Sequence, residues 1–141
     1  VDIIEKIIDM GVLTIALGGG GIPVIKKENG SIIGSEAVID KDRSSALLAA
    51  TLNVDVFIIS TDADKVYLNY KKNNQKGLDT VTLSEIEKYY NEGHFPPGNM
   101  GPKIEAVMRF LRQGGKKAII TTFEFITDAL DGNAGTTIIP D

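Results

Sequence analysis

Apolar and polar positions run along this chain in blocks whose period changes, and each change marks an element. At the start, Ile3, Ile4, Ile7 and Ile8 recur at helical spacing and Gly11 ends the run, which predicts a helix over residues 2–10. Residues 12–17 are continuously apolar apart from Thr14 and have strand length, and the glycines Gly18, Gly19, Gly20 and Gly21 end them. A short apolar run, two lysines and the pair Asn29-Gly30 before Ile32-Ile33 predict a β-hairpin turning on Asn29-Gly30. Residues 40–52 predict a helix that opens on acidic residues. Residues 54–60, rich in β-branched and aromatic side chains, predict a buried strand, and 65–70 a more exposed one.

The second half follows the same logic. Thr82-Leu83-Ser84-Glu85 fits a capping box, in which Thr82 and Glu85 satisfy free amides at a helix start, and Gly93 ends that helix. A loop with Pro96, Pro97 and Gly98 leads into a helix over 100–113, with Ile104, Val107, Met108 and Leu111 along one face. Pro102 is tolerated there because first-turn amides have no intrahelical partner. A buried strand over 117–121, a short helix near 125–130 and a strand over 136–139 complete the order. Buried strands alternating with helices predict an α/β fold: a mostly parallel sheet covered by helices, in one domain without repeat or linker.

Composition narrows the classes. A chain of 141 residues has the length of one domain able to bury a real core. Its 43% apolar and 24% charged residues are ordinary for a soluble globular protein. The net charge of −4 is spread over interspersed acids and bases, which leaves no footprint for nucleic acid or an anionic membrane. The absence of cysteine excludes disulfides, zinc–thiolate sites and cysteine nucleophiles. The longest apolar run cannot span a bilayer and lacks signal-peptide flanks, so the expected location is the cytoplasm.

Four clusters suit chemistry. Gly18 to Gly21 lie where a predicted strand gives way to a loop, and such a run either makes a tight turn or lets backbone approach an anion closely. It matches neither the P-loop nor the dinucleotide fingerprint. Asp40-Lys41-Asp42 opens a helix, where carboxylates are normal caps but a lysine is out of place unless a phosphate joins it. Ser60-Thr61-Asp62-Ala63-Asp64 leaves a strand's carboxyl end, which suits phosphate or ribose contacts and equally suits an Asx-rich turn. The loop Phe95 to Lys103 enters a helix with a lysine in its first turn, a phosphate site if the free amides and Lys103 act together and a solvated lysine otherwise. His94, the sole histidine, reads as structural or surface-exposed, and the paired lysines 26–27, 71–72 and 116–117 as solvated faces.

Together these clusters resemble the carbamate kinase family. Gly18-Gly19-Gly20-Gly21-Ile22-Pro23-Val24, Ala37-Val38-Ile39-Asp40-Lys41-Asp42, Thr61 through Tyr67, and Glu92-Gly93-His94-Phe95 through Lys103 look like that family's blocks in its order, over essentially the whole chain. The resemblance implies a three-layer, amino-acid-kinase-like fold, a role for the lysine at a helix start, Lys41, that composition alone left unexplained, and a reversible transfer: carbamoyl phosphate plus MgADP giving ATP and carbamate, with ATP/ADP and Mg2+ as cofactors. By the same resemblance Lys41 and Lys103 bind phosphate, Asp42 holds their ammonium groups, and Asp62, Val66, Tyr67, Met100 and Val107 line the ADP pocket. Gly18 to Gly21 lie near the acyl-phosphate, and no protein metal ligand is implied. Asn99 stands where the family leads one to expect serine. The family's N-terminal lobe has no counterpart here, and Val1 falls near a relative's mid-chain, so residues 1–141 are expected to be the C-terminal, nucleotide-binding part of a homodimeric parent. Another kinase of the same superfamily with a different acceptor, and a nonenzymatic nucleotide sensor, are the other classes the residues allow.

Overall fold

The computed structural model describes all residues, 1–141. Helix α1 spans Asp2–Asp9 and buries none of its side chains. The apolar run after it, expected as a strand, forms none: Leu13 and Ile15 are 94% and 96% exposed, and residues 12–17 pair with no other strand. The reason is physical. A continuously apolar strand is stable only when neighbours take its amides and both faces are covered, and neither condition is met here. The hairpin is formed, with β1 (Val24–Lys26) antiparallel to β2 (Ile32–Gly34). Gly30 adopts φ +81° in its turn, and the Asn29 side chain accepts from Ser31 N at 3.1 Å.

From residue 40 onward the chain packs. Helix α2 (Lys41–Thr51) precedes β3 (Val56–Ser60) and β4 (Val66–Leu68). Two short strands that periodicity did not predict follow, β5 (Lys76–Leu78) and β6 (Thr80–Thr82). Helix α3 (Leu83–Asn91) starts on the full capping box of Thr82 and Glu85. Helix α4 (Met100–Arg112), β7 (Lys117–Thr121), a 3-10 turn (Phe123–Phe125), α5 (Ile126–Leu130) and β8 (Thr136–Ile139) complete the chain.

The main sheet has the order β3-β7-β8-β6. β3 pairs with β7 in parallel and β6 with β8 in parallel, while β7 and β8 run antiparallel. The sheet is therefore mostly parallel but reverses direction once, at its middle. β4 and β5 form a separate antiparallel ribbon. One face of the sheet meets α2, α3 and α4, and α5 packs beside β7. Alternation along β7 explains the layering: Ala118 and Ile120 join the main core, and Ile119, on the opposite face, is fully buried outside it.

Helix α4 is the centre of that core. Its predicted face is buried at Ile104, Val107, Met108 and Leu111, joined by Ala106 and Phe110. The Phe110 ring meets Phe57 of β3 with centroids 5.3 Å apart at an interplanar angle of 50°. Each such side chain removed from water contributes roughly 1.5–3 kcal/mol, so α4 is fixed firmly in place relative to β3 and β7.

Candidate functional site

The site begins at two helix starts. Asp40 stays extended and its Oδ1 accepts from Arg43 N at 2.9 Å, which caps α2 and makes Lys41 and Asp42 its first two residues. At the start of α4, Asn99 offers no side-chain cap. There Gly101 N donates to Pro96 O at 2.9 Å, and a Cβ on Gly101 would lie 2.8 Å from that same oxygen. Only glycine lets the Pro96 turn close so tightly on the helix.

Helices α2 and α4 pack against each other, and the charged residues of their first turns meet. Lys103 Nζ donates to Asp42 Oδ2 at 3.1 Å, and Lys41 Nζ lies 3.6 Å from the same oxygen. Asp42 and Lys103 are buried, whereas the Lys41 side chain is 64% exposed. Two ammonium groups around one carboxylate leave an excess positive charge where two helices point their positive ends. That combination attracts a multiply charged anion.

A second link joins the same helices nearer the surface. Arg43 Nη2 donates to Glu105 Oε2, and the Tyr90 hydroxyl of α3 donates to Glu105 Oε1. The hydrogen bonds from Tyr90 and Arg43 hold the Glu105 carboxyl below its ordinary range. The bond to Glu105 raises the Tyr90 phenol, with burial adding to it.

Beside this charged centre, on the side of Met100 at the start of α4, lies an open cleft. One wall is Asp62, Ala63, Tyr67 and Tyr70, and the other is His94, Phe95, Pro96, Asn99 and Met100. Its lining, aromatic and apolar side chains with a few polar groups, suits a small organic ligand. The Tyr67 hydroxyl donates to Asp64 Oδ1 at 2.9 Å, and burial, reinforced by Asp64, pushes that phenol up, so it remains a neutral donor. The Tyr67 and Tyr70 rings lie 6.0 Å apart.

The residues singled out in the sequence fall into three places. Lys41, Asp42 and Lys103 form the charged centre, and Asp62, Tyr67 and Met100 line the cleft. Val66 and Val107 do not reach the cleft surface, being fully buried in the core. Gly18, Gly19 and Gly20 lie on the exposed segment before β1, with open space where a Cβ would stand, whereas a Cβ on Gly21 would come 3.6 Å from Ile39, next to the α2 cap. His94 is partly enclosed: its Nε2 is 3.4 Å from Glu92, and its ring meets Tyr89 edge-on at 6.0 Å. Tyr70 and the Arg43–Glu105–Tyr90 cluster escaped the sequence reading. The spacing of Tyr70 three residues after Tyr67 is the one signal that pointed to it.

Known proteins resemble the chain over nearly its whole length. Carbamate kinase of Thermoplasma volcanium is 53% identical over 137 residues, 97% of this chain and 45% of that protein. Carbamate kinase 3 of Staphylococcus aureus is 52% identical over 138 residues, 97% of this chain and 44% of that protein. The solved carbamate kinase from Giardia lamblia bound to AMP-PNP superposes with a TM-score of 0.91 at 46% identity, covering 99% of this chain and 44% of that one. The chain thus spans a little under half the length of these relatives. The amino acid kinase family model matches residues 1–122, and the chain belongs to that family.

Proposed function

We propose that this chain is the C-terminal, nucleotide-binding part of a carbamate kinase, which moves a phosphoryl group reversibly between carbamoyl phosphate and MgADP to give ATP and carbamate. The observation that carries the reading is the pair of ammonium groups, Lys41 and Lys103, gathered on Asp42 where two helix starts meet beside the cleft. Phosphoryl transfer needs positioning and charge neutralisation more than a protein nucleophile. In this role Lys41 and Lys103 bear on the oxygens of the transferring group, and Asp42 keeps both ammonium groups aimed. The exposure of Lys41 suits a group that meets the anion directly, and the burial of Lys103 suits one fixed in advance.

Asp62, Tyr67 and Met100 then contact the nucleotide in the cleft, while Val66 and Val107 support its floor from the core. Gly18 to Gly21 lie near the acyl-phosphate on this reading, with Gly21 next to Ile39 and the α2 cap. Magnesium enters as part of the MgADP substrate. The parent enzyme is a cytoplasmic homodimer on this reading, and no helix of the chain is long and apolar enough to cross a membrane. The similarity to a kinase solved with AMP-PNP supports the nucleotide assignment.

Calorimetric titration of MgADP into the purified chain tests it, with circular dichroism to establish folding. Saturable one-site binding that weakens in Tyr67→Ala is expected. A folded chain that binds no MgADP overturns the assignment of a nucleotide site to this cleft.

A further inference from the structure

We propose that Glu105 is a positioning residue that sets the register of α2 against α4, and with it the placement of Lys41 and Lys103; the proposal rests on the kinase reading above. The two helices are joined by two polar cross-links of different character. Asp42–Lys103 lies on the buried side of the seam, and Arg43–Glu105 lies toward its rim, where the Arg43 and Glu105 side chains are 55% and 32% exposed. Apolar packing through Ala46 and Ala49 holds α2 on α4 without fixing the position of any one charged group, and the Asp42–Lys103 link pins one point of the seam. A second link from the adjacent residue, Arg43 beside Asp42, pins another and so resists small rotations of one helix on the other.

Glu105 does more than mirror the inner pair. Its second oxygen takes the Tyr90 hydroxyl, so one carboxylate ties α3 to the α2–α4 seam. Helix α3 ends a few residues before His94 and Phe95, which wall the cleft. The Glu105 cluster therefore fixes the charged centre and one wall of the cleft relative to each other. Residues two apart on a helix do not face each other, so Glu105 acts on Lys103 through the helix and through α2, not by contact. A misplacement of about 1 Å in a reacting group can cost on the order of 100-fold in rate, which sets the scale for a link of this kind.

The test uses the intact kinase, with kcat and KM for MgADP measured for the unsubstituted protein and for Arg43→Ala, Glu105→Ala, Glu105→Gln and the double Arg43→Ala/Glu105→Ala variant. Arg112→Ala serves as control, because it deletes a comparable exposed pair of α4, Arg112–Glu87 at 2.9 Å, away from the lysines. Glu105→Ala is expected to lower kcat about tenfold or more while KM stays within about threefold, since what is lost is alignment in the transition state. Glu105→Gln should recover part of the loss, the double variant should fall no further than Glu105→Ala, and Arg112→Ala should match the parent. If Glu105→Ala does not fold, Arg43→Ala decides alone, because it removes the α2–α4 link and leaves Tyr90–Glu105 in place. A folded Glu105→Ala or Arg43→Ala protein with parental kcat overturns the proposal. An equal loss in Arg112→Ala also overturns it, by showing that any weakening of α4 suffices. An unsubstituted intact protein that turns over no carbamoyl phosphate with MgADP removes the kinase reading itself, and the positioning role with it.

Discussion

Lys103 donates to Asp42 at 3.1 Å across 61 residues of chain, and both groups are buried. Removing one partner of such a pair leaves the other charge without its counter-ion in a poorly solvated place. Lys103→Ala is therefore expected to destabilise the fold by about 3 kcal/mol. Lys41→Ala, at the exposed end of the same cluster, is expected to cost under about 1 kcal/mol. Chemical denaturation of the two variants checks the contrast, and equal losses would contradict it.

The same two substitutions, made in the intact kinase, should each depress turnover on the order of 100-fold, with a smaller effect on ADP affinity. The purified chain of residues 1–141 should bind nucleotide yet show little or no carbamate kinase activity. Coupled assay of ATP formation from carbamoyl phosphate and ADP measures both. Near-parental turnover in a lysine variant would take that lysine out of the reaction.

Gly101→Ala probes the join between loop and helix. Its new methyl would stand 2.8 Å from the Pro96 carbonyl, and backbone on both sides leaves no flexible end to yield. The Pro96 turn must open, and that turn is a wall of the cleft. Weaker MgADP binding and a lower Tm are expected together, read by calorimetry and thermal unfolding.

Acid should loosen the Glu105 cluster. Its carboxyl is held below the ordinary 4.5 by Tyr90 and Arg43, so its contribution to stability is fully present above that value and is lost as pH falls through the lowered folded pKa. Glu105→Gln cannot titrate. Its stability should fall less steeply than the parent's below about pH 4.5, as measured by urea unfolding at a series of pH values; parallel curves would assign the acid sensitivity elsewhere.

Surface chemistry gives a further expectation. Leu13, Ile15, Ile22 and Val38 are each more than four-fifths exposed, an unusual concentration of apolar surface in the first 40 residues. The chain should bind a hydrophobic dye or self-associate. Leu13→Lys with Ile15→Lys should reduce both without lowering Tm, because neither side chain contributes to the core. A monomer that binds no dye would contradict this.

What could be read from the sequence was what neighbouring residues decide. The capping box at Thr82 and Glu85 closes within three residues, and the buried face of α4 follows from the spacing of Ile104, Val107, Met108 and Leu111. Elements decided by distant partners were not legible. Residues 12–17 carry a strand's composition but find no partner, and β5 and β6 are three-residue strands, one of them carrying Lys76 and Gly77, without a period to detect. The reversal between β7 and β8 is likewise set by tertiary packing. In the site, the helix starts at Asp40 and Asn99 were visible locally. The meeting of Asp42 with Lys103, and of Arg43 with Glu105 and Tyr90, depends on how α2, α3 and α4 pack, and no local spacing encodes it.

The two walls of the cleft are built on different foundations. Met100 belongs to the helix that carries Lys103 about one turn later, whereas Tyr67 belongs to the β4–β5 ribbon, outside the main sheet. Changes on the Met100 side must therefore respect the chemistry of the charged centre, since one rigid rod serves both. The ribbon side is free of that obligation. Ligand preference can drift, or be engineered, through Tyr67 and Tyr70 while the lysines keep their places, which makes the ribbon the adaptable half of the site and α4 the half that selection must hold still.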